Sequence, residues 1–241
     1  MSPPQQAAVR NRLLSGLPPD GFGLLQPHLE PFKLDLRLML SEPGDPVPFV
    51  HFVERGIVSI LADTAEGRIE VGMIGCEGLA GLPAVLGIER TPHAQLVQTQ
   101  GEALRVPVGE LRAAMDRSPS VRDRLLRYAH AFMVQTSQTA YANAAFAIEA
   151  RLARGILMTH DRTGEDELVL THDFMSMMLG VRRPGVTVAV QVLEGNRLIR
   201  ATRGRIVVLD RAGLEAVADD AYGLAEAEYA SALLQETSAE A

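Results

Sequence analysis

Arg182 and Arg183 stand side by side where a helix is predicted to start, ahead of Pro184 and an apolar stripe. The macrodipole makes that end of a helix locally positive, so two guanidinium groups there run against the electrostatic preference. Either an external anion compensates them or they are solvated surface residues. The His-Asp dipeptides at 160–161 and 172–173 are of the type that serves a hydrolytic metal, but no further ligand spacing accompanies them. Cys76 is the chain's one cysteine, so neither a disulfide framework nor a cysteine-ligated cluster can be built within one chain. Nothing beside it lowers a thiol pKa, and a semi-buried structural thiol is expected.

Composition sets the background for the arginine pair. The 241 residues carry a formal charge of −7, with 47% apolar and 22% charged residues, as in a globular protein. No run of about 18 apolar residues suggests a membrane span. No basic region followed by an apolar core suggests a secretory signal, so a cytoplasmic location is expected. An acidic chain does not coat itself with nucleic acid, but a local basic patch is compatible with that total. Between His172 and Arg211 the arginines are Arg182, Arg183, Arg197, Arg200, Arg203, Arg205 and Arg211, against the acids Asp173, Glu194 and Asp210. Acids gather elsewhere, at Glu165, Asp166 and Glu167 and in the tail from Asp219. The basic charge is segregated.

Three kinds of element must position these groups. Residues 31–108 are rich in glycine and proline, and "VHFVERGIVSILADTAEGRIEVGMIG" alternates short apolar runs with turn signals at Glu54-Arg55-Gly56 and Ala65-Glu66-Gly67. That spacing predicts a compact β barrel or sandwich. From Ser118, a candidate N-cap before Pro119, the period becomes helical. Leu125, Tyr128, Ala129, Phe132 and Thr136 share one face. Spacing alone leaves open whether they pack on the chain's own β domain or on the same helix of a second copy. Asn143 marks a break before a helix striped by Ile148, Leu152, Ile156 and Leu157. Thr171 then caps a helix ending near Gly180. "RRPGVTVAVQVLEGNRLI" predicts a second helix burying Val186, Val188, Val190 and Leu193. Its β-branched residues also fit a strand, but Pro184 suits a first turn and Glu194-Gly195-Asn196 a helix end. Thr202-Arg203-Gly204 between apolar pairs signals a hairpin. Helix, turn, helix and basic-tipped hairpin make a winged helix-turn-helix.

These residues also carry a family resemblance. "MMLGVRRPGVTVAVQVLE", "LIR" and "RGRIVVLDRAGLE", with "EPGDPVPFVHFVERGIVSILA", "IEVGMIGCEGLAGLPAVLG" and "LLRYAHAFMVQTSQTA", resemble the Crp/Fnr family of bacterial transcription regulators over nearly the whole chain. The resemblance implies an α+β chain: an N-terminal β-roll of the cyclic-nucleotide-binding kind with a preceding helix (1–117), a long dimerisation helix (118–145), a winged helix-turn-helix (146–216) and an acidic tail (217–241). It favours Leu125, Tyr128, Ala129, Phe132 and Thr136 as a homodimer interface. It implies double-stranded DNA with a palindromic operator as partner, RNA polymerase as a further candidate, no membrane and no enzymatic chemistry.

On this resemblance Arg183 reads guanine, with Thr187 and Gln191 following on the same face and Gln191 suited to adenine. Thr171, His172, Arg182, Arg203 and Arg205 are expected on phosphates. Family members often carry glutamate where Pro184 stands, so readout of that base pair departs from the pattern. Cyclic-nucleotide sites in this fold use a Gly-Glu loop followed by an Arg-Ser or Arg-Thr pair. The counterparts here are Glu77, Gly78, Arg90 and Thr91, but the spacing is stretched, Pro83 interrupts the helix and Pro92 follows the pair. These departures argue against a cyclic nucleotide. An iron–sulfur cluster needs more cysteines, and His28, His51, His93 and His130 show no pairing suited to haem. The alternative function is a cyclic-nucleotide-binding module with a vestigial DNA domain.

Overall fold

A computed structural model describes residues 3–65 and 67–234. Glu66, expected in a turn, and the end of the expected acidic tail lie outside the described residues. The chain begins with α1 (Arg12–Ser15) and α2 (Pro19–Leu25), followed by strands β1 (Glu30–Leu34), β2 (Met39–Ser41), β3 (Phe49–Thr64), β4 (Gly67–Ile74) and β5 (Leu79–Ala80). Helix α3 (Leu82–Val85), strand β6 (Ala94–Pro107) and helix α4 (Val108–Arg117) complete this part. The strands form an antiparallel sheet in the order β1-β6-β3-β4, with β2 on β6 and β5 on β3.

Glu54-Arg55-Gly56 is not a turn between strands, as expected above. It is a bulge inside the 16-residue β3, where the register with β6 shifts three times between Val53 and Val58. Gly56 has φ +90, and a Cβ there would sit 2.5 Å from the Thr99 carbonyl oxygen. The facing Gly101 is equally closed by the Arg55 carbonyl. Two glycines let the long strands approach and bend together, which curls the sheet into a roll. Strand alternation then divides the side chains. Leu34, Val53, Val58, Ile74 and Val97 fill the roll, while Val50, Phe52, Leu79 and Val106 join a core with α1, α2 and α4. Pro83 does not interrupt a helix either, since it occupies the first turn of α3, where no amide donor is needed.

Helix α5 (Pro119–Ala145) starts where predicted, with Ser118 Oγ accepting from the Val121 amide at 3.4 Å. It runs past Asn143, and the break to α6 (Ile148–Thr163) falls at Phe146 and Ala147. Its predicted stripe does not face outward. Leu125 and Tyr128 lie in the core of their own chain, the Tyr128 hydroxyl donating to the Leu79 carbonyl at 3.1 Å. Ala129 is buried, and Phe132 packs on the roll interior above Gly72. Thr136 is half-exposed, its hydroxyl turned to the Met133 carbonyl. Leu125, Tyr128 and Ala129, expected above at an interface, are thus buried within their own chain, while Phe132 and Thr136 are partly covered. The large exposed apolar residues of α5 are Leu126, Met133 and Tyr141.

The C-terminal part comprises β7 (Glu167–Leu168), α7 (His172–Leu179), α8 (Arg183–Gly195), β8 (Ile199–Thr202), β9 (Arg205–Val208) and α9 (Arg211–Ala218). Leu152, Ile156, Leu157, Met175, Val186, Leu193 and Ile206 are buried in its core. This part is seated on the roll. Phe174 and Met177 of α7 pack against Leu61, Ala94 and Leu96, with the Arg37 guanidinium 5.9 Å over the Phe174 ring. Helix α10 (Leu224–Leu234) then returns to α5, where Tyr229 accepts from Gln135 Nε2 at 3.2 Å.

Candidate nucleic-acid interface

The Thr171 side chain caps α7, accepting from the Phe174 amide at 3.3 Å, and Gly180 ends that helix with φ +61. The left-handed residue reverses the chain within a short turn. Arg182 then occupies the N-cap of α8, followed by Arg183 and Pro184 in its first turn. The segment 183–195 is helical, so first-turn proline and the buried stripe outweigh β-branched propensity. Val186, Ala189, Val190 and Leu193 face the core, while Arg183, Pro184, Val188 and Gln191 are exposed and Thr187 is partly so. Val188 was expected inside. It is 55% exposed, because it falls on the face opposite Val186 and Val190.

The arginines carry acidic partners that no helical spacing advertised. Arg183 is bound by Asp173 of α7 through Nε at 3.0 Å and through Nη2. Arg205 of the wing pairs with Glu167 of β7. Arg203 is exposed at the tip between β8 and β9, and His172 is exposed at the start of α7. The Thr187 hydroxyl donates to the Arg183 carbonyl at 3.1 Å. An open groove beside the first turn of α8 separates Arg182 and Arg183 from Arg68 and Ile69 at the β3–β4 hairpin. Arg68 is itself held by Asp63 at 2.8 Å and Glu42 at 2.5 Å.

Residues 150–217 match the family described as the Crp-like helix-turn-helix domain. Whole-chain similarity points the same way. FixK2 from Bradyrhizobium japonicum superposes with a TM-score of 0.69 at 16% identity, over 79% of this chain and 98% of that one. A CRP/FNR-family transcriptional regulator from Thermus thermophilus gives 0.62 at 23% identity, over 78% and 98%. The c-di-GMP-responsive global regulator CLP of Xanthomonas campestris gives 0.63 at 17%, over 78% and 98%. No curated protein sequence matches the chain. The chain has the Crp/Fnr regulator fold and a Crp-like helix-turn-helix domain.

The Crp-like domain also accounts for two other candidate groups. His160 receives Arg211 Nη1 at Nδ1 (2.8 Å) and faces Asp166 through Nε2 (2.9 Å), while Asp161 binds Arg211 at 2.8 Å and accepts from the Tyr222 hydroxyl at 2.5 Å. Both members of the first His-Asp dipeptide thus serve a structural network that also withdraws Arg211 from the basic patch. Glu77, named above as the counterpart of a cyclic-nucleotide site's glutamate, is buried against Arg162 of the Crp-like domain, Oε1 accepting from Nε at 2.8 Å. Gly78 is buried against the Tyr128 ring. Arg90 donates to the Gly44 carbonyl at 2.7 Å, and buried Thr91 accepts from the His93 amide at 3.1 Å. The four residues have separate protein partners, and Glu77 ties the roll to the DNA-binding part. Burial, then Glu77, pushes the Cys76 thiol up, as expected for a structural cysteine. Among the described residues no helix is long and apolar enough to cross a membrane.

Proposed function

We propose that this chain is a cytoplasmic, sequence-specific transcription regulator that binds a palindromic operator as a homodimer. The observation that carries the reading is the two-faced α8. One face is core, and the other presents Arg183, Thr187 and Gln191 along its length beside a basic wing. A helix so presented fits a major groove, with Arg183 bidentate to guanine and Gln191 to adenine. Val188, exposed on the same side, offers an apolar contact to a thymine methyl. Thr171, His172, Arg182, Arg203 and Arg205 surround that face and would take phosphates, which orient the protein without specifying sequence. On binding, Arg183 would exchange Asp173 for a base edge.

The dimer reading rests on a corrected surface. Leu126, Met133 and Ala140 recur every seven residues on the exposed side of α5, with Thr136 at its margin. A seven-residue apolar repeat is the seam of a paired helix. Leu126→Glu with Met133→Glu should convert a dimer to a monomer in analytical ultracentrifugation. A dimer that survives both changes places the interface elsewhere.

The deciding experiment is selection from a randomised duplex pool. Enrichment of a two-fold site with half-sites about 34 Å apart supports the proposal. Arg183→Ala should then relax sequence choice and cost about 1–3 kcal/mol on the selected site. Unchanged preference in that variant removes Arg183 as the reader.

A further inference from the structure

We infer that the outward face of α8 selects thymine. Pro184 and Val188, extended by Val192, form an apolar row for the C5-methyl groups of A·T pairs in the major groove. This inference rests on the operator reading above and names what the centre of that helix recognises.

Helical geometry places the row. At about 100° per residue, the buried Val186, Ala189, Val190 and Leu193 centre on one side of α8. The direction opposite that centre falls within about 30° of Pro184, Val188 and Gln191, and about 110° from Arg183. Thr187 and Val192 flank it, one on each side, at about 70°. An amide and two apolar groups therefore face most squarely away from the core, and Arg183 reaches in from the edge. Val188 is 55% exposed and Val192 41%. Pro184 is exposed too, and its ring carries no donor or acceptor.

Single exposed apolar side chains are ordinary on a protein surface. Here Pro184, Val188 and Val192 recur at every fourth residue and so share a face. Their surroundings are cationic, with Arg182 and Arg183 at the start of α8 and Arg203 and Arg205 on the wing. The nearby acids are engaged within the chain, Asp173 by Arg183 and Glu194 by the Ala201 amide at 2.9 Å. An apolar row in a basic frame fits a polyanion that carries apolar groups. The thymine methyl is the apolar group that the major groove offers. A purely apolar partner gains nothing from that frame. Successive members of the row are about 6 Å apart along the helix, close to two base-pair steps of about 3.4 Å. Thymines about two positions apart in each half-site are the expected signature.

The test uses the full chain and the duplex it selects from a randomised pool. Deoxyuridine replaces each thymine in turn, which removes a methyl group and keeps every hydrogen-bonding group. Fluorescence anisotropy should show affinity falling about fourfold at each contacted thymine. Val188→Ala shortens the row at an exposed site and improves helix propensity, so the variant should fold. Its response to deoxyuridine should vanish at one thymine and persist at the others, whereas Arg183→Ala should keep every response. A parent that binds thymine and deoxyuridine duplexes alike, while Arg183→Ala still relaxes sequence choice, overturns this inference and leaves the operator reading intact. The row then faces water or another protein. A selected site that lacks thymine overturns it equally, and a parent that selects no sequence overturns both readings.

Discussion

If Arg183 reads DNA as proposed, it has two competing partners, and the balance between them is a property of one neighbouring residue. Asp173 is the carboxylate that holds it. Both side chains are largely exposed, so the pair is screened and contributes little to stability. Near a duplex the same carboxylate repels phosphate and must release its arginine. Asp173→Asn should therefore tighten binding to any duplex several-fold while leaving thermal stability almost unchanged. Fluorescence anisotropy across a salt series checks this, and the gain should shrink as salt rises. Weaker binding in Asp173→Asn would mean that the carboxylate positions Arg183 for readout.

Among the elements, the bent strand pair β3–β6 is where a single methyl group should do most harm. Gly56→Ala places a Cβ 2.5 Å from a backbone carbonyl in a left-handed conformation. It should cost more than about 1–3 kcal/mol, read as a lowered urea midpoint. The same bulge shows what a linear reading misses. Gly56 is visible as a turn signal, but its pairing with Gly101 comes from strand register and turns an apparent loop into a corner. The helices were more legible. Ser118, Pro119, Thr171, Gly180 and Pro184 act through neighbours a few residues away, and each stands where local chemistry predicted. The α5 stripe was legible as an apolar face, but not what covers it, because Tyr128 meets Leu79 and Phe132 meets the roll through contacts 49 or more residues distant. In the candidate site, the exposed face of α8 followed from helical period. The acidic partners Asp173 and Glu167, and the Glu77–Arg162 tie, required the tertiary fold.

At the scale of the whole molecule, two ionisable groups, buried His51 and partly buried Glu70, pull stability in opposite directions with pH. Burial raises Glu70, at the junction of the roll with α5, α6 and α7, from its usual 4.5 to about 7, against the pull of Ser59, Arg154 and Arg162. The folded state then binds more protons than the unfolded chain between about pH 4.5 and 7, so stability falls as pH rises through that window. His51 does the reverse. Lowered from 6.5 to about 4, its contribution is complete above 6.5 and is lost as pH falls towards 4. The two slopes oppose each other between about 4.5 and 6.5, and a nearly flat profile is expected there. Urea midpoints from pH 4.5 to 8 should show Glu70→Gln declining more steeply towards acid than the parent and losing the parent's fall near pH 7. Parallel profiles for the two proteins would mean that Glu70 is charged throughout.

One guanidinium clasps the two ends of the described chain together. Arg124 donates from Nε to the Leu13 carbonyl and from Nη2 to the Arg12 carbonyl, both at 2.8 Å, and from Nη1 to the Leu233 carbonyl at 3.5 Å. Tyr229 and Ala232 complete the core that Leu13 and Leu14 begin. On the ribosome, where synthesis adds about 5–20 residues per second, the part of that core supplied by Tyr229 and Ala232 is the last to arrive. Joining the two clasped segments by a short linker and opening the chain elsewhere would let that core close early in synthesis.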